Sequence, residues 1–400
     1  MKVTNVLYLC LLPLLIGASG ILHAQIANSY PNDVGIESDL NVLYVEMFDG
    51  GLENIVRRYS EVVNRDGMSL DPDVPAGSLG PYSLKMTSIA AANNGGHLYR
   101  KFTPGWDSTV YVRYYVKYPS ISDGFIHHEA IWFGGYNPAT NWPNPRAGTC
   151  GLGDSRISIS YEPINEPAMD TYLYWGDMRS WNGGGSCYGN DMVNGSPTAR
   201  NLEWDQWHCV EVMVKLNNPV TATNGELRIW QDGVEVGHWG PGFPNGHWLV
   251  DSWINEPADP PFPGFRWRTD PALNINYLWI EFYHDDNAAP NSYIKYDHLV
   301  MAKEYIGPIH ITTGVSETPV PSSMRVYPNP TRGKFTVELP DAENGVVEVY
   351  NVLGRKILQY PIRRKKAELD VSAYPGGVYF IRTFQGRKVL TSKIINLGSD

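Results

Sequence analysis

Two strand-like runs carry the side chains best suited to chemistry. The first is Phe125-Ile126-His127-His128-Glu129-Ala130-Ile131-Trp132-Phe133-Gly134-Gly135. The second is Ser158-Ile159-Ser160-Tyr161, with Tyr172-Leu173-Tyr174 beyond it. Alternate residues of an extended strand share a face, so Ser158 pairs with Ser160 and Tyr172 with Tyr174. If both faces line one groove, hydroxyls and an imidazole converge there, the composition of a sugar-handling site.

Aromatic rings stack on the apolar faces of sugars, while Asn, Asp, His and Tyr bond their hydroxyl edges. The loops supply both kinds. Tyr136, Trp142, Trp175, Trp181 and Trp248 lie near Gly, Pro and Asn, although most tryptophans in such a chain are core or loop staples. Glu129 and Trp132 neighbour His128 in the first run. Arg266 and Arg268 share a face if extended. The loop carboxylates Glu162 and Glu166 are a candidate acid/base pair for hydrolysis. Neither Glu-x-Asp-x-Glu nor Glu-x-Glu occurs. No Cys-x-x-Cys or His-x-x-x-His occurs either, so no metal is required. The turn Asp285-Asp286-Asn287 is a candidate for structural calcium, with a plain turn as the alternative.

The elements that must position these groups read as β. Val110–Tyr118 alternates with period two and is rich in β-branched and aromatic residues, and Val210–Leu216, Leu227–Gln231, Leu278–Tyr283 and Tyr293–Met301 behave similarly. Asn224-Gly225 and Asp232-Gly233 supply turns. One stretch, Asn54–Arg65, predicts a helix, with Ile55, Val56, Tyr59 and Val62 at helical spacing.

The chain is 400 residues long, which suggests two domains. All 13 tryptophans fall between Trp106 and Trp279. From Val320 onward there are 13 Lys and Arg against 7 Asp and Glu, while the whole chain has 32 against 42. The large region is therefore acidic, which disfavours nucleic acid as a partner. Met1-Lys2, the apolar run Val6–Ile21 and Ala24 form a secretory signal peptide over 1–24. No later segment approaches the ~20 apolar residues of a membrane helix. The expected plan is a lead-in over 25–41, a jelly-roll domain over 42–310, a linker over 311–323 and a small β-sandwich over 324–400. In an oxidising compartment, Cys150 and Cys187 in Gly-rich loops are the preferred disulfide, leaving Cys209 as a buried thiol.

Two resemblances follow from these motifs. Val326-Tyr327-Pro328-Asn329-Pro330, Gly333–Val337, Val349–Arg355 and Tyr374–Arg382 resemble, in that order, the type A sorting domain of the type IX secretion system. That resemblance implies the secretion machinery as a partner and export to the medium or the cell surface. The large domain resembles the concanavalin A-like jelly rolls, and Ile126–Gly135 resembles the Gly-Gly-Lys-x-x-Gly-x-x-Gly-Gly strand of family 14 polysaccharide lyases. His128 falls at the family's lysine. Ser158, Tyr172 and Tyr174 match its Ser-x-Arg and Tyr-x-Tyr strands, and Ser160 stands at the arginine. The resemblance implies β-elimination of a polysaccharide, with His128, Tyr172, Tyr174 and Arg156 as catalytic residues. Ser158, Ser160, Glu129, Trp132, Tyr136, Trp142, Trp175, Arg266 and Arg268 would bind substrate. A glycan-binding module and a hydrolase of neutral glycans are the alternatives.

Overall fold

The computed structural model describes residues 25–89, 92, 95–120, 128–144, 146–165, 167–193, 200–283, 292–311, 324–339, 344–352, 354–385 and 388–398. The expected signal peptide, Phe125–His127, Glu166, the turn at 285–287 and most of the expected 311–323 linker lie outside them. The chain divides into two compact units, 1–312 and 313–400.

Strands dominate the first unit because its sequence alternates in period two. In chain order they are β1 (Val42–Glu46), β2 (Glu61–Val63), β3 (Met68–Asp71), β4 (Ser83–Ser88), β5 (Gly95–Trp106), β6 (Thr109–Lys117), β7 (Ile131–Tyr136) and β8 (Arg156–Asn165). There follow β9 (Ala168–Tyr174), β10 (Trp207–Lys215), β11 (Glu226–Gln231), β12 (Val234–Trp239), β13 (Gly246–Leu249), β14 (Ser252–Asn255), β15 (Ile275–Tyr283) and β16 (Ser292–Ala302). One antiparallel sheet runs β12-β11-β10-β6-β16-β4-β3, with β1 also on β16. A second, six-stranded sheet runs β2-β5-β15-β7-β8-β9. The two form a jelly roll.

Between them lies one apolar core. Val110, Val112, Tyr114 and Val116 of β6 pack with Ile131 and Phe133 of β7, Ile157, Ile159 and Tyr161 of β8, and Leu278, Ile280 and Phe282 of β15. Each such side chain contributes about 1.5–3 kcal/mol by leaving water. Buried tyrosines also tie sheet to sheet. Tyr114 donates to the Tyr161 carbonyl at 3.2 Å, and Tyr296 to the Glu281 carbonyl at 2.6 Å. These bonds satisfy phenols that burial would otherwise penalise, and they fix β8 and β15 in height.

One expectation is corrected. The predicted helix shrinks to a single turn, Leu52–Val56. Val62 and Val63 leave it to pair with Leu98 and His97 of β5, where β-branched side chains fit better than on a helix. Residues 25–41 pack against the first unit. Ile26, Ala27 and Ile36 are buried, and the chain there hydrogen-bonds Tyr305 and Ile306.

The second unit is a seven-stranded antiparallel sheet between Arg325–Tyr327 and Lys388–Asn396. Its own core holds Phe335, Val337, Val347, Val349, Ile381 and Ile394.

Candidate functional site

Period-two alternation divides the six-stranded sheet cleanly. Odd-numbered residues of β8, Ile157, Ile159 and Tyr161, face the core. Even-numbered Arg156, Ser158, Ser160 and Glu162 therefore take the outer face. Register then lines up rows across the sheet. Tyr277, Gly134, Ser158 and Tyr174 are paired neighbours in one row. In the next, Tyr99, Trp279 and Trp132 pair in turn, as do Ser160 and Tyr172. One row further, His97 pairs with Glu281 and Glu162 with Asp170. Ala130 accepts the Glu281 backbone N–H at 3.0 Å, so that row continues toward β7. Gly134 is required by this packing. A Cβ there would meet the Ile157 carbonyl oxygen at 2.0 Å.

A cleft of about 320 Å³ opens on this face, lined by His128, Trp132, Ala147, Ser158, Tyr172, Tyr174, Trp279, Glu281 and Tyr283. His128 precedes β7 with φ 62, an uncommon backbone for a residue with a side chain. Its ring meets Tyr172 edge-on at 4.9 Å and Trp132 at 5.6 Å. Its Nδ1 lies 3.3 Å from Glu162 Oε1, while Ser160 Oγ donates to Glu162 Oε2 at 3.1 Å. Tyr172 and Tyr174 sit 5.6 Å apart, ring to ring, and their hydroxyls are hydrogen-bonded. Burial pushes both hydroxyls above the ordinary phenol range, Tyr172 the further. The same cause holds Glu281 well above the carboxylate range, and the neighbouring Glu162 adds to it.

Arg156 joins this cleft to a second cavity. Its guanidinium lies 3.8 Å from the centroid of the Tyr174 ring and reaches the Asn144 carbonyl at 3.5 Å. It also lines a space of about 270 Å³ with Tyr136, Trp142, Asn144 and Arg146. Trp142 is 57% exposed there. The covering loops are joined by the disulfide Cys150–Cys187, with Cα atoms 4.9 Å apart; Cys209 is a buried free thiol.

The structure thus brings together His128, Tyr172, Tyr174, Arg156, Ser158, Ser160, Trp132, Tyr136 and Trp142. Four expected residues stand apart from the cleft. Glu129 is buried, and its charge acts on Tyr118 and Tyr296 between the sheets. Trp175 is a core ring packed on Trp248, Phe265 and Trp267. Arg266 forms a two-pronged ion pair with Asp177. Arg268 is buried, donating to the Leu273 and Asp107 carbonyls.

Glu162 is a strand residue rather than a loop carboxylate, fully buried within β8. Trp279 and Glu281, in a run that the sequence marks only as a source of further candidates, also line the cleft. The alternation Tyr277, Trp279, Glu281, Tyr283 was the signal. Among the described residues, no group of three or more His, Cys, Asp or Glu is placed to hold a metal ion. Among them, too, no helix is long and apolar enough to cross a membrane.

Residues 325–396 match the secretion system C-terminal sorting domain. The chain is exported by the type IX route, to be secreted or attached to the cell surface. No curated protein matches the chain. Among solved structures, the alginate lyase vAL-1 from Chlorella virus is similar at 15% identity and a TM-score of 0.40, over 66% of this chain and 100% of that one. A structure from work on endo-acting O-glycanases, which prominent members of the human gut microbiota express to initiate mucin breakdown, is similar at 14% identity and a TM-score of 0.33, over 66% and 100%. The metal-free carbohydrate recognition domain of Emp46p is similar at 8% identity and a TM-score of 0.34, over 65% and 94%.

Proposed function

We propose that the large domain is a polysaccharide lyase that cleaves an acidic glycan by β-elimination. The observation that carries this reading is the convergence of His128, Tyr172 and Tyr174 on one cleft, with Arg156 stacked on Tyr174. Elimination beside a uronate needs a base for the C5 proton, an acid for the leaving oxygen and a group that neutralises the carboxylate. Glu162 occupies the Nδ1 side of His128, so Nε2 takes the C5 proton. The C5–H electrons form the C4–C5 double bond, the C4–O bond breaks, and Tyr172 gives its proton to the leaving oxygen. The phenol is protonated in the resting cleft, the state from which it can give its proton. Arg156 supplies positive charge toward the Tyr174 end. No metal enters this scheme.

One observation favours a second reading, a non-catalytic glycan-binding module. Where the resembling lyases carry arginine, Ser160 is fully buried against Glu162. The discriminating experiment is incubation with a panel of polyuronates and neutral glycans. Growth of unsaturated-uronate absorbance, lost in His128→Ala, supports elimination. New reducing ends without that absorbance would mean hydrolysis, and retention without cleavage would mean a lectin.

A further inference from the structure

Glu281 has a place in the cleft that the scheme above leaves unused. It stands on β15 beside His128, whose backbone carbonyl accepts from Tyr283 two residues on. Its row across the sheet holds titratable groups on both sides. His97 pairs with it from β5, and beyond Ala130 the next strand presents Glu162. Strands lie about 4.8 Å apart, so the two carboxyl-bearing strands stand roughly 10 Å apart across the sheet. Glu281 is 8% exposed, yet it lines the cleft.

Among the described residues, no cation offsets this burial. His97 is held down to about 4 by burial and stays neutral. His128 turns Nδ1 toward Glu162. The other titratable groups that face the cleft with Glu281 are the phenols of Tyr172, Tyr174 and Tyr283. Among the described residues, the one charge acting on Glu281 is the Glu162 carboxylate, which repels a second negative charge. A buried carboxyl in an apolar slot, with a like group two strands away, favours its protonated form.

We propose that Glu281 is a further ligand-contacting residue, a protonated carboxyl that donates a hydrogen bond to the carboxylate of the sugar seated at His128. Arg156 stands four residues along β8 from Ser160, roughly 13 Å, and serves the carboxylate of a neighbouring sugar. A neutral acid thus does at the reacting sugar what a lysine or arginine would otherwise do, by sharing its proton with the charge that builds up as C5 loses its own. The uronate class rests on the elimination reading, while the donor role requires only a ligand with a carboxylate.

The test is calorimetric binding of oligoglucuronate and oligoalginate to the secreted full chain, at mildly acid and at alkaline pH. Wild type, Glu281→Gln and Glu281→Ala are compared. Gln keeps a neutral donor and cannot ionise. The expected result is wild-type affinity falling with rising pH, Glu281→Gln holding its affinity at both, and Glu281→Ala weaker by roughly 10- to 100-fold at both. Because His128 is present in wild type and Gln variant alike, the difference between their pH profiles belongs to Glu281. If the Ala variant fails to fold, the wild-type and Gln profiles decide alone. Equal binding by all three, or a Gln variant as weak as Ala, would overturn the proposal. Wild-type binding with this pH profile but no unsaturated product would sink elimination and leave the Glu281 donor standing.

Discussion

Nδ1 of His128 lies 3.3 Å from Oε1 of Glu162, whose second oxygen accepts from Ser160 at 3.1 Å. The carboxylate thus orients the imidazole, and a serine orients the carboxylate. It is a base held by a third group, assembled from a pre-strand residue and two alternate positions of β8.

Removing the base should therefore cost more than removing its support. His128→Ala is expected to lower kcat by about 10²–10⁴-fold, the usual worth of a positioned general base. Glu162→Gln should lower kcat less and leave KM within a few-fold, since it still fills the slot. Steady-state kinetics with matched circular dichroism checks both. A Glu162→Gln variant that changes only KM would mean that Glu162 contacts sugar directly.

The tyrosines have unequal roles. Tyr172 touches His128, whereas Tyr174 carries Arg156. Tyr172→Phe removes the proton for the leaving oxygen and should reduce kcat by about 10²-fold or more. Tyr174→Phe keeps the ring under Arg156 and should act mainly on KM. Because burial holds the Tyr172 hydroxyl above the ordinary phenol range, wild-type rates should show no alkaline loss at the ordinary phenol value. The pH–rate profiles of both variants test the division of labour.

Much of this site was legible because strand alternation is a strict rule. Arg156, Ser158 and Ser160 read as one face, and so did Tyr172 and Tyr174. Glu162 continues the same series but was read as loop because Pro163 follows it. A bulge near Pro163 and Asn165 lets the proline stay within β8. Glu281 shares a face with Tyr277, Trp279 and Tyr283, but nothing in its own run shows that β7 and β8 bring His128 and Tyr172 onto that face. Arg266 and Arg268 lie two residues apart, but Asp177 and Asp107, distant in sequence, and the nearby Leu273 carbonyl claim them. Partners brought in by tertiary structure are what local spacing cannot show. The same holds for Val62 and Val63, which β5 draws out of a helical pattern.

The disulfide Cys150–Cys187 closes a loop of sequence separation 37 over the cleft. Replacing both cysteines by serine should cost about 2–4 kcal/mol of stability. It should also raise KM. A Cβ on Gly189, just past Cys187, would meet the Tyr172 ring at 2.7 Å, so the loop rests directly on that ring. Thermal melts and kinetics under non-reducing conditions check both effects.

Two carboxyls away from the cleft set the pH dependence of stability. Burial pushes Asp297 up to about 8 and Glu211 up to about 7. Both bind a proton in the folded protein over a range where the unfolded chain has released it. Stability is then fully present below the ordinary carboxylate values and falls as pH rises from there through about 8. Asp297→Asn, which cannot ionise, should raise the alkaline Tm by several degrees, gain progressively less as pH falls, and match wild type only below the ordinary carboxylate range. An alkaline Tm equal to wild type would contradict the assignment.

If the cleft breaks a C4–O bond by elimination, no water enters the products. Mass spectrometry of the fragments released from a purified oligouronate by the wild-type chain reads this directly. Elimination gives fragment pairs whose masses sum to that of the parent, the new non-reducing end being one water lighter than a saturated sugar. Fragment pairs that sum to the parent plus one water would show hydrolysis and contradict it.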